Sequence, residues 1–361
     1  MPGETSLQSP TAPGGAPNSA PATLSVVIPT HDTRELVLAC LAALAAAVPP
    51  PDEIILVDDG SGDGTAAAVA ASYPAVRLLR HERPLGFTAA ANAGAALATG
   101  DLLLLLNSDT EPAPEALGAL LAAFSDDPRL GVAGAALTYP DGTPQWSGGR
   151  APDARWLFAL GSGIAQRLGG FAPWRRRRPV SGHGGGEVEW VTGAALAIRR
   201  SLWHELGGFD PRFELYAQDL DLCVRARERG WRVAVVAASR VVHHHGATIG
   251  QASRDLAAGE GGKALTARAD APRLWADLVR WAAKRRGPAA GRRAARWLRL
   301  GGAVQRGLLA CDALRGDAAR QRARALRRVL RVAAQAAREA AAAPAAPPAP
   351  AAAGLPGEGR T

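Results

Sequence analysis

Short apolar runs alternate with amphipathic segments over the first hundred positions of the chain. Four of the runs are Leu24–Pro29, Glu53–Val57, Val76–Leu79 and Leu102–Leu106. The last consists of five leucines, and an uninterrupted apolar run is typical of a strand buried on both faces of a parallel sheet. The segments between the runs predict helices from Thr33 to Val48, up to Ser72 and from Thr88 to Ala98. This alternation predicts βαβ units and an α/β fold, with a mostly parallel central sheet flanked by helices.

Acidic side chains directly follow two of these predicted strands. Asp58 and Asp59 come after the second strand, and Asn107-Ser108-Asp109 comes after the leucine strand. In open α/β sheets ligands bind at the carboxyl ends of the strands, where a carboxylate suits a hard divalent cation. Two alternatives stay open, namely Asp109 as the cap of the next helix and Asp58–Ser61 as a turn with Asx hydrogen bonds. The GxGxxG and P-loop patterns are absent, which argues against a Rossmann dehydrogenase and a P-loop NTPase.

Charge divides the chain unevenly. Residues 1–250 carry 20 Lys and Arg against 25 Asp and Glu, a net charge of −5, whereas residues 251–361 carry 22 against 8, a net charge of +14. From Arg273 onward, apolar residues recur at helical spacing between arginines, which predicts basic amphipathic helices. Such helices contact membrane surfaces or partners, and packing of the first one on the rest of the protein is an equal alternative. Nucleic acid is not an expected partner, because neither base-stacking aromatics nor a known module accompany the arginines.

The composition predicts four parts of the chain. We expect a disordered tail over residues 1–22, an α/β domain over 23–250, a basic helical extension over 251–342 and a second disordered tail over 343–361.

Cysteine usage and hydropathy indicate the compartment. The three cysteines, Cys40, Cys223 and Cys311, lie far apart without CxxC spacing, which favours a reducing cytosol over a disulfide framework or a zinc site. The sequence shows neither a signal-peptide pattern nor an apolar run of the roughly 20 residues that a membrane-spanning helix needs. We therefore expect a cytoplasmic protein, and the basic helices predict that it is peripheral to the inner face of the cell membrane.

Several motifs in a fixed order carry a family resemblance. They are Val26-Val27-Ile28-Pro29-Thr30-His31, Val57-Asp58-Asp59-Gly60-Ser61, Gly86-Phe87 with Ala91-Asn92-Ala93-Gly94, and Leu106-Asn107-Ser108-Asp109-Thr110. With these motifs, residues 24–250 resemble the family 2 glycosyltransferases, inverting nucleotide-sugar-dependent enzymes of the GT-A fold, and especially the bacterial rhamnosyltransferase-like branch. The resemblance implies transfer of a sugar such as rhamnose from a UDP- or dTDP-sugar to a hydroxyl of a cell-envelope glycan or glycolipid acceptor.

The resemblance also implies which residues hold the donor. The nucleotide side comprises Thr30, His31, Asp59, Gly86, Asn92 and Ser108. It implies that Asp59 accepts the imide N–H of a pyrimidine and that His31 lies near the base. Because Asn107-Ser108-Asp109 stands at the family's Asp-x-Asp metal motif, Asp109 and His243 are the expected ligands of Mg²⁺ or Mn²⁺. Of the three adjacent histidines 243–245, at most two can share a face of an extended chain.

The acceptor side is implied by the second half of the chain. Asp219, in the first turn of a helix that begins near Gln218, corresponds to the family's general base. Trp190, Gly193 and Gln218 correspond to positions beside the reacting sugar, and Trp190 is either a stacking platform or a core residue.

The segment before this acceptor block is rich in glycine and proline. We expect Leu137 to Gly186 to form a long loop region over the site, with Arg175–Arg178 as a solvated or lipid-facing patch. Two departures from the family pattern, Asn107 and Gln218 in place of acids, motivate an alternative. In that alternative the chain is a catalytically impaired scaffold in a glycan-assembly complex.

Overall fold

The computed structural model describes residues 22–164, 180–181, 185–213, 215–244 and 271–343. The Arg175–Arg178 run and almost all of the two predicted tails lie outside these residues, as does the expected domain boundary at residue 250.

The first seven elements follow the predicted alternation of strands and helices. They are β1 (Leu24–Thr30), α1 (Arg34–Ala45), β2 (Glu53–Asp58), α2 (Thr65–Ser72), β3 (Arg77–Arg80), α3 (Phe87–Leu97) and β4 (Leu102–Leu106). Asp109 does not cap the next helix. Instead β5 (Thr110–Pro112) follows, and α4 (Ala116–Asp126) begins after Glu115, so that alternative is wrong.

The remaining elements run from β6 to the C-terminal helices. They are β6 (Leu130–Thr138), β7 (Trp146–Gly149), α5 (Ala154–Ser162), β8 (Val180–Ser181), β9 (Gly186–Glu187), β10 (Trp190–Val191), β11 (Ala195–Arg199), α6 (Arg200–Leu206), α7 (Gln218–Glu228), β12 (Arg232–His243), α8 (Ala271–Arg286), α9 (Pro288–Asp312) and α10 (Asp317–Ala342).

Nine of the strands in the described residues form one sheet. Its order is β3-β2-β1-β4-β11-β6-β12-β5, with β9 added on β12, and a small second sheet has the order β10-β7-β8. Strands β3, β2, β1 and β4 are parallel, as are β6 and β12, whereas β11 runs antiparallel between β4 and β6. The prediction of a mostly parallel sheet flanked by helices is confirmed.

The five leucines of β4 are buried on both faces of this sheet. Leu102, Leu104 and Leu106 pack into one core cluster with α1 and α4, while Leu103 and Leu105 pack into a second cluster with α3 and α7. Because successive side chains of a strand point to opposite faces, an all-leucine strand requires helices on both sides. The sequence pattern therefore places β4 at the centre of the molecule, with its carboxyl end at the edge where Asn107 follows.

The expectation of a long loop between Leu137 and Gly186 is wrong in its described part, which holds β7, α5 and β8. The glycines there belong to a strand that other backbone approaches closely, since a Cβ on Gly148 would lie 2.6 Å from the carbonyl oxygen of Trp190. The Asp153 carboxylate accepts a hydrogen bond from the Trp156 N–H at 2.7 Å and so caps α5.

The three C-terminal helices pack on the rest of the protein. Their core is continuous with α5 and with the segment leading into α7, because the fully buried Trp275 of α8 lies in one cluster with Phe213 and Leu220. Among the described helices, none combines the length and the hydropathy that crossing a membrane would demand.

Candidate active site

The carboxyl ends of β1 and β4 are joined by hydroxyl groups. Thr30 Oγ1 lies 2.6 Å from Thr33 Oγ1, which lies 3.0 Å from Ser108 Oγ, and all three side chains are buried. Two of the residues expected on the nucleotide side, Thr30 and Ser108, are thus brought together through Thr33.

His31 and Asp59 also meet at this edge of the sheet. His31 Nδ1 lies 2.8 Å from the carbonyl oxygen of Asp59, and the imidazole is about half exposed. Asp32 beside it has a φ of +50°, and its carboxylate accepts the Gly62 N–H at 2.8 Å. The two loops that follow β1 and β2 are therefore tied together, and they present an exposed imidazole at the strand ends.

The Asp59 carboxylate already accepts several hydrogen bonds from the protein. His81 Nδ1 lies 2.7 Å from Oδ1, the Leu85 N–H donates to Oδ1 at 2.9 Å, and the Gly86 N–H donates to Oδ2 at 2.8 Å. These bonds hold the loop that enters α3 at Gly86, whose φ of +94° favours glycine. Asp59 thereby shapes this wall of the site, and its contact with a nucleobase stays a prediction.

Asn92 connects α3 to the segment that leads into α7. Its amide nitrogen donates to the carbonyl oxygen of Phe209 at 2.9 Å, and its amide oxygen accepts the Phe209 N–H at 3.0 Å. Both polar ends of the side chain are engaged by protein backbone. The structure therefore shows Asn92 as a link within the protein, and its expected contact with the nucleotide stays a prediction.

Asp109 faces His243, as the resemblance implied for a metal pair. His243 lies at the end of β12, opposite Thr110 of β5, and its Nε2 is 3.3 Å from Asp109 Oδ1. The side chains are 8% and 1% exposed, so the pair is almost completely enclosed by protein. The next histidine, His244, contacts Glu111 instead, which agrees with the expectation that adjacent histidines point apart.

Gln145, which no sequence pattern indicated, fixes the orientation of His243. The Gln145 side-chain nitrogen donates to the carbonyl oxygens of Thr138 and His243, so its oxygen faces His243 Nδ1 at 3.0 Å. An amide oxygen can only accept, and this network therefore assigns the proton to Nδ1. The other ring nitrogen, Nε2, is left to face Asp109, which is the arrangement in which imidazole binds metals.

The residues around Asp109 fit a divalent cation that takes some of its ligands from the protein and the others from a bound diphosphate. The Asn107 side-chain oxygen is buried and has no hydrogen-bond partner among the described residues, so it too can act as a ligand. No group of three or more His, Cys, Asp or Glu side chains suited to a metal occurs within the described ranges. A cation here would depend on oxygen atoms from a diphosphate to complete its coordination.

Asp219 lies in the first turn of α7. The preceding Ala217 has a φ of +65°, and the Asp219 carboxylate accepts the N–H groups of Gly193 at 2.8 Å and Leu220 at 2.7 Å. Burial raises the pKa of Asp219 to about 6, against the opposing effect of these two amides. Such a carboxylate is ionised at neutral pH and is basic enough to accept a proton.

The backbone at Gly193 and Ala194 connects Asp219 to the segment that follows β4. The Gly193 N–H donates to Asp219, and the carbonyl oxygen of the next residue, Ala194, accepts the Asn107 N–H at 2.9 Å. The ends of β4 and α7 are thus joined by two hydrogen bonds from adjacent residues. Asp219 and the Asn107–Asp109 segment therefore belong to one site.

The other acceptor-side residues have mixed surroundings. Gln218 is buried, and its side-chain oxygen has no hydrogen-bond partner among the described residues. Trp190 is half-buried, donates from Nε1 to the carbonyl oxygen of Arg150 at 3.0 Å, and packs edge-on against Trp146 at 5.2 Å. The ring of Trp156 contacts that of Trp146 in a tilted arrangement with a centroid distance of 5.5 Å. Trp190 therefore belongs to an aromatic cluster, and part of its own surface stays exposed.

Helix α8 from the basic extension supports α7 with charged groups. Lys284 Nζ lies 2.7 Å from both Asp210 Oδ2 and the fully buried Asp221 Oδ2, and Asp221 also binds Arg225. Burial alone would raise the pKa of Asp210, but hydrogen bonds from Arg212 and Lys284 hold it well below its usual value. Lys284 therefore bridges the two ends of the segment that carries Asp219.

A second carboxylate of α8 holds the backbone just before α7. Asp277 is completely buried and accepts the N–H groups of Leu215 at 3.3 Å and Tyr216 at 3.1 Å. Sequence reasoning missed Asp277 and Lys284. One signal was present, because Lys284 is one of only two lysines in an arginine-rich chain.

Comparison with known proteins identifies the family. The model of glycosyl transferase family 2 matches residues 25–186. An N-acetylglucosaminyl-diphospho-decaprenol L-rhamnosyltransferase of Mycobacterium tuberculosis (strain CDC 1551 / Oshkosh) is 30% identical over 247 residues, which cover 63% of this chain and 78% of that protein. The O-antigen biosynthesis protein RfbC of Myxococcus xanthus is 30% identical over 184 residues, covering 48% of this chain and 13% of that protein.

A mannosyltransferase from Pyrobaculum calidifontis, solved in complex with GDP-Man and Mn²⁺, is among the similar structures. Its TM-score is 0.49 at 20% identity, with coverage of 89% of this chain and 88% of that chain. The family match and the rhamnosyltransferase relative decide the assignment. The chain belongs to glycosyl transferase family 2, with the GT-A fold and a rhamnosyltransferase-like relationship, and it is a glycosyltransferase.

Proposed function

We propose that this enzyme transfers a sugar, rhamnose in the first instance, from a UDP- or dTDP-sugar to a hydroxyl of a cell-envelope glycan or lipid-linked acceptor. The observation that carries the proposal is the Asp219 carboxylate, which is held by two backbone amides and has a pKa of about 6. The name of the mycobacterial relative supports rhamnose as the sugar and a lipid-linked acceptor.

In the proposed reaction Asp219 acts as the general base. It accepts the proton of the acceptor hydroxyl while that oxygen attacks the anomeric carbon from the face opposite the diphosphate. One carbon–oxygen bond forms to the acceptor, the carbon–oxygen bond to the diphosphate breaks, and the electron pair leaves on the diphosphate oxygen. A single displacement of this kind inverts the anomeric configuration.

The leaving diphosphate gains negative charge, which this chain's residues would offset at the other end of the site. Asp109 and His243 would hold a divalent cation, Mg²⁺ or Mn²⁺, with the Asn107 side-chain oxygen close to the same motif. The cation would supply electrostatic stabilisation of the diphosphate oxygens. Gln145 keeps His243 Nε2 turned toward Asp109, and the linked hydroxyl groups of Thr30, Thr33 and Ser108 join the ends of β1 and β4.

We expect the enzyme to act at the inner face of the cell membrane. Residues 271–343, which comprise helices α8, α9 and α10 and their connections, carry 18 Lys and Arg against 4 Asp and Glu, which supports peripheral contact with anionic lipid.

The test is a transfer assay with a panel of UDP-, dTDP- and GDP-sugars and a lipid-linked glycan acceptor, with and without Mg²⁺ or Mn²⁺. We expect one UDP- or dTDP-sugar to be consumed with inversion at the anomeric carbon, and only when a metal is present. Donor binding by thermal shift is measured in parallel. Binding of no donor by the folded protein would contradict the proposal and favour the scaffold role suggested by Asn107 and Gln218.

A further inference from the structure

A groove between α9 and α10 collects arginines that pair with no carboxylate in the part of the chain that the structure describes. Its volume is about 670 Å³, and it is lined by Arg292, Arg296, Arg299 and Arg306 of α9 and by Arg338 of α10. The four positions on α9 are separated by four, three and seven residues, so they form one stripe along a helix face. At about 1.5 Å per residue the stripe is roughly 21 Å long.

These five guanidinium groups differ from other arginines of the molecule. Arg225, Arg229 and Arg232 each form an ion pair with a carboxylate at 2.8 Å or less. Among the described residues, none of the five groove arginines forms an ion pair or a hydrogen bond with the protein. Five like charges around one cavity repel each other unless an anion lies between them.

The chemistry of the groove fits phosphate groups. The planar guanidinium fork binds phosphate oxygens with two parallel hydrogen bonds, and several forks converging on one cavity suit a phosphorylated headgroup. An apolar side chain stands in the same stripe, because Leu300 also lines the groove and is 49% exposed. Trp297, which follows Arg296, is 39% exposed and packs edge-on against Phe158 of α5. Exposed Trp and Leu among arginines are typical of surfaces that lie in the headgroup region of a membrane.

We infer that the groove between α9 and α10 is a binding site for the phosphate headgroup of an anionic membrane lipid. Trp297 and Leu300 would enter the acyl boundary beside it. This inference rests on the membrane contact within the proposed function and gives that contact a defined place. It attributes binding to five arginines rather than to the general positive charge of the three helices.

The test compares two full-length variants that lose the same charge. The groove variant carries Arg292→Gln, Arg296→Gln and Arg299→Gln, and the control carries Arg322→Gln, Arg324→Gln and Arg327→Gln on the exposed face of α10. Co-sedimentation is measured with vesicles of phosphatidylglycerol and phosphatidylcholine, and with vesicles of phosphatidylcholine alone. Thermal melting of each variant, followed by circular dichroism, checks that it is folded.

We expect the native protein to prefer the vesicles that contain phosphatidylglycerol. The groove variant should lose at least about tenfold in partition coefficient and the control about threefold or less. Equal losses in both variants would show diffuse attraction and overturn the site. If the groove bound inorganic phosphate tightly and the protein showed no preference for phosphatidylglycerol, a lipid headgroup would be wrong as the ligand of the groove.

Donor consumption in the absence of vesicles separates this inference from the proposed function. The groove arginines take no part in the proposed chemistry, so the groove variant should consume donor at the native rate. If the native protein turned over donor but showed no preference for vesicles with phosphatidylglycerol, only the groove would be contradicted. Vesicle binding without any donor binding would contradict only the transferase.

Discussion

The two ends of the site are built by different parts of the chain. At the strand-end edge, Asp109, His243 and Gln145 are placed by strands of the central sheet and by the turn before β7. At the base end, Asp219 is placed by a short helix that depends on Asp277 and Lys284 of α8. The family model reaches only residue 186, so the base end and its support lie beyond it. This difference indicates that α8, the first of the basic C-terminal helices, holds the segment around Asp219 as well as contributing to a basic surface.

The largest effect is expected at the base itself. Asp219→Asn keeps the size of the side chain but removes the proton acceptor, so the transfer rate should fall by about 10²- to 10⁴-fold. Binding of the donor should remain, because the nucleotide-side residues are untouched. Single-turnover transfer and donor thermal shift measure the two quantities. Normal turnover by this variant would refute the assignment of the base.

The support from α8 should appear in the free energy of unfolding. Lys284→Met leaves Asp210 and Asp221 with one arginine each, and we expect a loss of about 3 kcal/mol, toward the lower end of the cost of breaking a buried ion pair. Urea unfolding measures the loss. The matched control is Arg286→Met, which removes the same charge from an exposed position of α8. Similar losses in both variants would mean that the Lys284 bridge contributes nothing specific.

The strand-end edge should respond in metal affinity instead. Gln145→Leu removes the acceptor for His243 Nδ1, so His243 can rotate away, and affinity for Mn²⁺ in the presence of a nucleoside diphosphate should fall by about 10- to 100-fold. Electron paramagnetic resonance of free Mn²⁺ measures this without any turnover.

The neighbouring pair of Glu111 and His244 provides a matched control for that experiment. Glu111→Gln alters a histidine contact next to the site but not within it, and it should leave Mn²⁺ affinity unchanged. If Gln145→Leu also left the affinity for Mn²⁺ unchanged, the proposed orientation of His243 would be wrong.

The comparison also shows what a sequence can predict. The strand-end edge follows from local patterns, because the apolar runs fix the strands and parallel strands bring their carboxyl ends together. Its exception is Gln145, whose partner lies 98 residues away and leaves no periodic signal. The position of β11 is a second exception. Its five residues, Ala-Leu-Ala-Ile-Arg, carry no pattern that predicts antiparallel pairing with β4 and β6 in the middle of the sheet.

The base end could be predicted only in part. The resemblance indicated Asp219 and the α7 pattern indicated its helix, but the hydrogen bonds from Leu215 and Tyr216 to Asp277 span about 60 residues. Helical periodicity reports that a face is apolar, not which surface covers it. The arginine content of the region pointed toward solvent and lipid, whereas Trp275, Asp277 and Lys284 face the protein. Long-range contacts of buried polar groups are therefore what the sequence left undetermined.

The pH dependence of transfer gives the smallest effect and the most direct report on the surroundings of Asp219. A base works in its ionised form, and burial raises the pKa of Asp219 to about 6, so kcat/KM should be level above pH 7 and decline on acidification. One pH unit below that pKa only about a tenth of the carboxylate is ionised, which predicts about a tenfold loss at pH 5. Donor binding at each pH separates this loss from titration of the diphosphate. A decline centred near pH 4 would mean that water reaches Asp219 freely, and the enclosed base end would then be no different from an exposed helix terminus.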